Sequence, residues 1–152
     1  MAETFLQAIQ AAYLAEIEGA AWFGALLVRF GGDADKHAKL QVLQQLERTT
    51  AARLIPLMGA QDAQRLDCAS AESRGRALAA RLDDWARFVQ MLRSDLPPYI
   101  ARYQALLREA PSNERAAVEF LLAHELALQA FAEEEAAGRG AASLVAVTRL
   151  LL

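Results

Sequence analysis

The chain has 152 residues, a formal net charge of −3 and 55% hydrophobic residues, interrupted by only four prolines and eight glycines. That length suits one domain, residues 1–152, with a substantial core, and an Ala- and Leu-rich composition favours helices over sheets. A sequence pI near 5.4 and singly scattered arginines exclude a nucleic-acid-binding face, which needs clustered Lys and Arg.

In chain order, the first predicted helix runs from about Thr4, a plausible N-cap, to Phe30. Gly31-Gly32 ends it, through the left-handed conformation that glycine accepts. Asp33 caps a second helix to about Met58, with Pro56 kinking or ending it and Gly59 as its stop. Gly59 to about Ser70 carries no helical period and holds the lone Cys68, which excludes an intrachain disulfide and reads as a loop thiol. Its length suits a crossover between bundle ends rather than a tight turn. The third helix begins near Ser70 or Ser73 and shows the stripe Leu78, Leu82, Trp85, Val89, Leu92, Leu96, until Pro97-Pro98 breaks or bends it. Asp95 then reads as an N-cap for the piece after Leu96. Pro111-Ser112 makes a turn, and a fourth helix capped by Ser112 runs from about Asn113 to Ala137, closed by Gly138 and Gly140. Ser143–Leu152 is a short apolar tail, predicted to form a terminal helix that covers the bundle end or packs across a dimer. The N-terminus lacks a signal peptide's basic start. The longest uninterrupted apolar run, Ala20–Val28, falls short of the roughly 20 residues a membrane span needs. The expectation is a cytoplasmic protein with no membrane partner, forming a homo-oligomer (a dimer) or binding another protein.

Three apolar stripes are each broken once by a glutamate. Glu16 interrupts Ile9, Tyr13, Ala20, Phe23; Glu47 interrupts Leu43, Thr50, Leu54; Glu125 interrupts Val118, Leu121, Leu128. A glutamate on a helix's buried face needs a partner. Glu16 lies 15 residues before Gly31 and Glu47 lies 15 after Gly32, so an antiparallel hairpin sets them at one height. Measured from Ala110 in the same way, Glu125 is level with Asp95. His124 adjoins Glu125 on the Phe120, Ala127, Phe131 side. Four acids from four helices, with a histidine, have the oxygen and imidazole donors of an iron or manganese centre. Pairing of Glu16 and Glu47 with Arg53, Arg29 or a tyrosine hydroxyl is the alternative, with His124 as a hydrogen-bonded core residue. Glu133-Glu134-Glu135 reads as a solvated acidic face.

Glu16-x-x-Gly19-x-x-x-Phe23 resembles the first-helix pattern of ferritins and rubrerythrins. Glu47-x-x-Thr50-Ala51-x-x-Leu54 resembles their second-helix Glu-x-x-His-Ala-x-x-Leu, with threonine at the histidine position, and Glu125-x-x-Leu128 resembles the fourth-helix Glu-x-x-His, with leucine there. The resemblance implies an all-α, ferritin-like antiparallel four-helix bundle with a long helix 2–3 crossover, a kinked third helix and a short C-terminal helix. It also implies Glu16, Glu47 and Glu125 as metal ligands, with His124 and Asp95 as further candidates, and iron or manganese chemistry with oxygen or peroxide. Two other readings fit the residues. One is a metal-free bundle for interaction or oligomerisation. The other is a small apolar ligand held between helices at the small residues Gly19, Ala20, Ala21 and Gly24.

Overall fold

A computed structural model describes residues 2–152, and every regular element among them is helical. The elements are α1 (Phe5–Arg29), α2 (Ala34–Met58), α3 (Ala60–Arg65), α4 (Cys68–Ala80), α5 (Trp85–Glu109), α6 (Arg115–Ala136), a 3₁₀ turn (Gly140–Ala142) and α7 (Val145–Leu151). Local signals set the starts of the first two. Thr4 and Gln7 form a reciprocal capping box, and the Asp33 carboxylate accepts from the Lys36 N–H at 3.1 Å.

α1 and α2 form one antiparallel hairpin and α5 and α6 another. The first turn differs from the expectation: neither Gly31 nor Gly32 has a positive φ. Glycine serves closeness there instead, because a Cβ at Gly31 would lie 3.2 Å from the Leu27 carbonyl oxygen. The left-handed cap belongs to Gly59 (φ 88°), which stops α2 after Pro56 has been passed.

The connection between hairpins is mostly helical, which corrects the reading of 59–70 as an irregular linker. Cys68 is the first residue of α4, beneath an Asp67 cap whose carboxylate accepts from Ser70 N–H at 3.0 Å. α4 runs parallel to α1: Arg74 meets Glu18 at 2.8 Å, and further along Arg29 donates to the Ala80 carbonyl at 2.6 Å. It thus carries the chain from the Met58 end back to the Phe30 end, where Trp85 opens α5 with its ring 5.4 Å from that of Phe30. The predicted third helix is therefore two helices, parted at Arg81–Asp84, where Asp84 caps α5. The expected break at Pro97-Pro98 does not occur. Both prolines and the residues four before them, Arg93 and Ser94, are exposed, so the carbonyls that lose a helical donor lie on the solvent side. α6 begins at Arg115 after a turn over Pro111–Glu114, so Ser112 is not its cap.

α4 lies unusually close to α1. A Cβ at Gly75 would overlap the Glu18 carbonyl oxygen and lie 2.9 Å from the Trp22 nitrogen and 3.0 Å from the Ala21 Cβ. Backbone cannot yield as a side chain tip can, so Gly75→Ala is expected to destabilise by about 3 kcal/mol, the upper end of overpacking effects. A thermal or urea midpoint unchanged from wild type would contradict that packing.

The apolar tail covers its own chain: Val147 is fully buried, with Leu144, Leu150 and Leu151 packed on the same cluster. α1 is long and apolar enough, by length and composition, to cross a membrane, which the uninterrupted-run criterion missed. Here its buried face packs on α2 and α4.

Candidate metal centre

Two apolar clusters fill the interior. One gathers Phe23, Leu43, Leu92 and Phe131 towards the Phe30 end; the other gathers Ile9, Leu54, Tyr103 and Leu121 towards the Met58 end. Between them lies a polar layer. Glu16 of α1, Glu47 of α2, and His124 and Glu125 of α6 are respectively 2%, 5%, 0% and 5% exposed.

His124 is the hub. Its Nε2 is 3.0 Å from Glu16 Oε2, 3.3 Å from Glu47 Oε2 and 3.3 Å from Glu125 Oε1. Yet Nε2, Glu16 Oε2, Glu47 Oε2 and Glu125 Oε2 are buried without an aligned hydrogen-bond partner in the protein. These atoms converge on one region instead of pairing off. One donor atom each from Glu16, His124 and Glu125 lies within 4.8 Å of the other two, the spacing of groups that share a cation. Glu47 touches the hub but stands outside that trio.

The other ring nitrogen fixes the tautomer. Nδ1 lies 2.6 Å from the Leu121 carbonyl oxygen. A carbonyl only accepts, so Nδ1 carries the proton, and Nε2 offers either a lone pair or, in the imidazolium, a second N–H. Donation from the far nitrogen to a carbonyl is the usual support of a metal-bound histidine.

Charge is dearly held here. Burial pushes the Glu16 carboxyl well above the ordinary range, the Glu47 charge adds to this, and His124 partly offsets it. Burial likewise pushes Glu125 up to about 7, eased by His124 and reinforced by Glu47. For His124, burial disfavours the cation, but Glu16, Glu47 and Glu125 outweigh burial and hold its pKa well above the usual value. The metal-free cluster therefore retains protons at neutral pH.

A pH dependence follows with a definite sign. The folded state binds more protons than the unfolded one, since Glu125 titrates at about 7 instead of 4.5 and His124 above its ordinary value. Glu125 therefore favours unfolding progressively as pH rises from 4.5 to 7, and His124 stabilises the fold only until pH passes its raised pKa. Glu125 alone corresponds to about 3 kcal/mol lost over that window. Urea unfolding of metal-free protein at pH 5, 6, 7 and 8 should show the decline; a flat or rising profile would refute the shifts.

Of the residues expected from sequence, Glu16, Glu47, Glu125 and His124 come together. Asp95 does not. It lies exposed inside α5, outside the donor group, and since α5 is unbroken it caps nothing. α5 ends at Glu109 and α6 begins at Arg115, so the hairpin's midpoint is Ser112, not Ala110, and the residue mirroring Glu125 is Tyr99. Thr50 donates to its own helix at Leu46 O, 2.8 Å away, and Leu128 is apolar core, so neither supplies a ligand. The arginines proposed as partners are engaged elsewhere: Arg53 lies 4.0 Å over the Phe120 ring and Arg29 binds Ala80. Gly19 makes room for Glu47, whose Oε1 would lie 2.8 Å from a Cβ there. Tyr103 was not among the residues expected at the site. Its hydroxyl is buried without a protein partner, and burial, Glu16 and Glu125 raise its pKa well above the phenol's usual value. Its place on the inner stripe Leu92, Leu96, Ile100, Tyr103 was the available signal.

Comparison of the chain with protein-family models, curated proteins and solved structures yields no match.

Proposed function

We propose that the chain is a diverged ferritin-like protein that holds one iron or manganese ion through Glu16, His124 and Glu125, with Glu47 beside them, for chemistry with oxygen or peroxide. The observation that carries this is the His124 ring, proton-fixed at Nδ1 by Leu121, with Nε2 amid carboxylate oxygens that find no hydrogen-bond partner. The helix order supports the fold: two antiparallel hairpins joined by a crossover that leaves α2 and α5 parallel, as in ferritin-like bundles. His124 supplies the imidazole that Thr50 and Leu128 do not, and the oxygen-rich donor set suits manganese or iron. When bound, the metal supplies a redox couple and a Lewis acid. The chain's part is to orient the ring through Leu121, wall the site above and below with the two apolar clusters, and surrender the Nε2 proton.

One other reading has an observation behind it. With Nε2 protonated, 3.0 Å from Glu16, the cluster is a buried ion group in a metal-free interaction module. Elemental analysis after anaerobic loading with Fe(II) or Mn(II) separates the two. The metal reading expects about one ion per chain, lost in Glu16→Ala and weakened in Glu47→Ala. Absence of stoichiometric metal, with Glu47→Ala less stable than the parent, would favour the ion group.

A further inference from the structure

A cavity of about 100 Å³ abuts the cluster between α1, α4 and α5. Its inner end is formed by Glu16, Glu47 and Glu125; its walls include Trp22, Phe23, Leu78, Leu92, Leu96 and Leu128. Exposed Asp95 and half-buried Tyr99 also line it, so it reaches the surface. A site acting on oxygen or peroxide alone needs no apolar chamber of this size.

We propose that this cavity binds a small neutral organic molecule, of about four to six non-hydrogen atoms, with its carbon body against the leucines and one end at the carboxylate cluster. The size follows from apolar cavities of about 150 Å³, which take up benzene. The absence of net charge follows from the lining. It contains five carboxylates and no Lys or Arg, which excludes an anion. A permanent organic cation would have to shed its water among six large apolar groups, while His124 already faces the inner carboxylates and Arg74 holds Glu18. The use of the ligand as a substrate rests on the metal reading; its binding does not.

The test uses metal-free protein with methyl-resolved NMR and three four-carbon probes: 1-butanol, butyrate and n-butylammonium. The expected result is saturable shifts confined to the Leu78, Leu92, Leu96 and Leu128 methyls with 1-butanol, and none with butyrate. Leu78→Phe, at a half-buried wall position away from the cluster, should weaken 1-butanol binding at least tenfold. Leu92→Ala, which enlarges the chamber, should bind benzene at least tenfold more tightly than wild type, and keeps the proposal testable if Leu78→Phe fails to fold. Absence of saturable shifts in wild type, shifts unchanged in both variants, or tighter binding of n-butylammonium than of 1-butanol would overturn it. Metal loading measured on the same samples keeps the two readings apart: a pocket without metal sinks the metal reading alone, and metal without a pocket sinks this one alone.

Discussion

His124→Ala is expected to weaken binding of Mn(II) or Fe(II) by at least about 100-fold and to destabilise the metal-free protein by about 3–5 kcal/mol at pH 8. The first figure follows because loss of an outer-shell partner alone reduces metal affinity by about 10- to 100-fold, and His124 is the only imidazole in the donor group. The second follows because removing one member of a buried ionic group strands the others. Three carboxylates, each 5% exposed or less, would remain without the cation that balances them. The loss should shrink towards pH 5, where Glu16 and Glu125, whose pKa values burial raises, carry protons in the folded state. A histidine of merely structural value would give a loss that ignores pH. Calorimetric metal titration and urea unfolding at both pH values check the pair of claims; an unaltered affinity with a pH-independent stability loss would refute them.

Lys39→Met, towards the Phe30 end of the bundle, is expected to destabilise by about 3 kcal/mol. Lys39 Nζ lies 2.7 Å from Glu135 Oε2 and 2.9 Å from Asp35 Oδ2, while the Trp85 indole N–H donates to Glu135 Oε1 at 2.8 Å. The Lys39 and Glu135 side chains are 9% and 8% exposed. Burial acts to raise the Glu135 pKa, but hydrogen bonds from Lys39, Ser143 and Trp85 together hold it below the ordinary range. This group therefore stabilises the fold above the usual carboxylate pKa and ceases to as pH falls through its lowered value, the reverse of Glu125. Methionine keeps the bulk and removes the charge, leaving Glu135 with the indole and Ser143 but no cation. Glu135→Gln should cost less, because Lys39 keeps Asp35. A Lys39→Met midpoint equal to wild type in thermal unfolding would show the pair to be dispensable.

The first hairpin was legible because its turn is short and symmetric. Arg29 and Ala34 bracket Gly31-Gly32, so counting outward from the glycines sets Glu16 opposite Glu47. The same count misled at the second hairpin, where the turn is longer and centred two residues later, which moved Asp95 off the layer. The break at Arg81–Asp84 was hidden because Leu78, Leu82 and Trp85 keep a helical spacing straight across it. The adjacent Asp83-Asp84 before an apolar run was the missed cap signal. Glu135 looked like part of a solvated acidic run because what buries it lies far off in sequence, on Lys39 and Trp85. His124 was readable as a buried residue beside Glu125. That its Nε2 meets three carboxylates depends on the rotation of α6, which no spacing rule supplies.

The central claim, that Nε2 of His124 serves a metal shared with Glu16 and Glu125, is tested most directly by X-ray absorption on protein loaded with one equivalent of Mn(II). The expected result is a coordination shell of oxygen donors with one imidazole, whose outer-ring scattering disappears in His124→Gln. An all-oxygen shell that is the same in wild type and His124→Gln would contradict it.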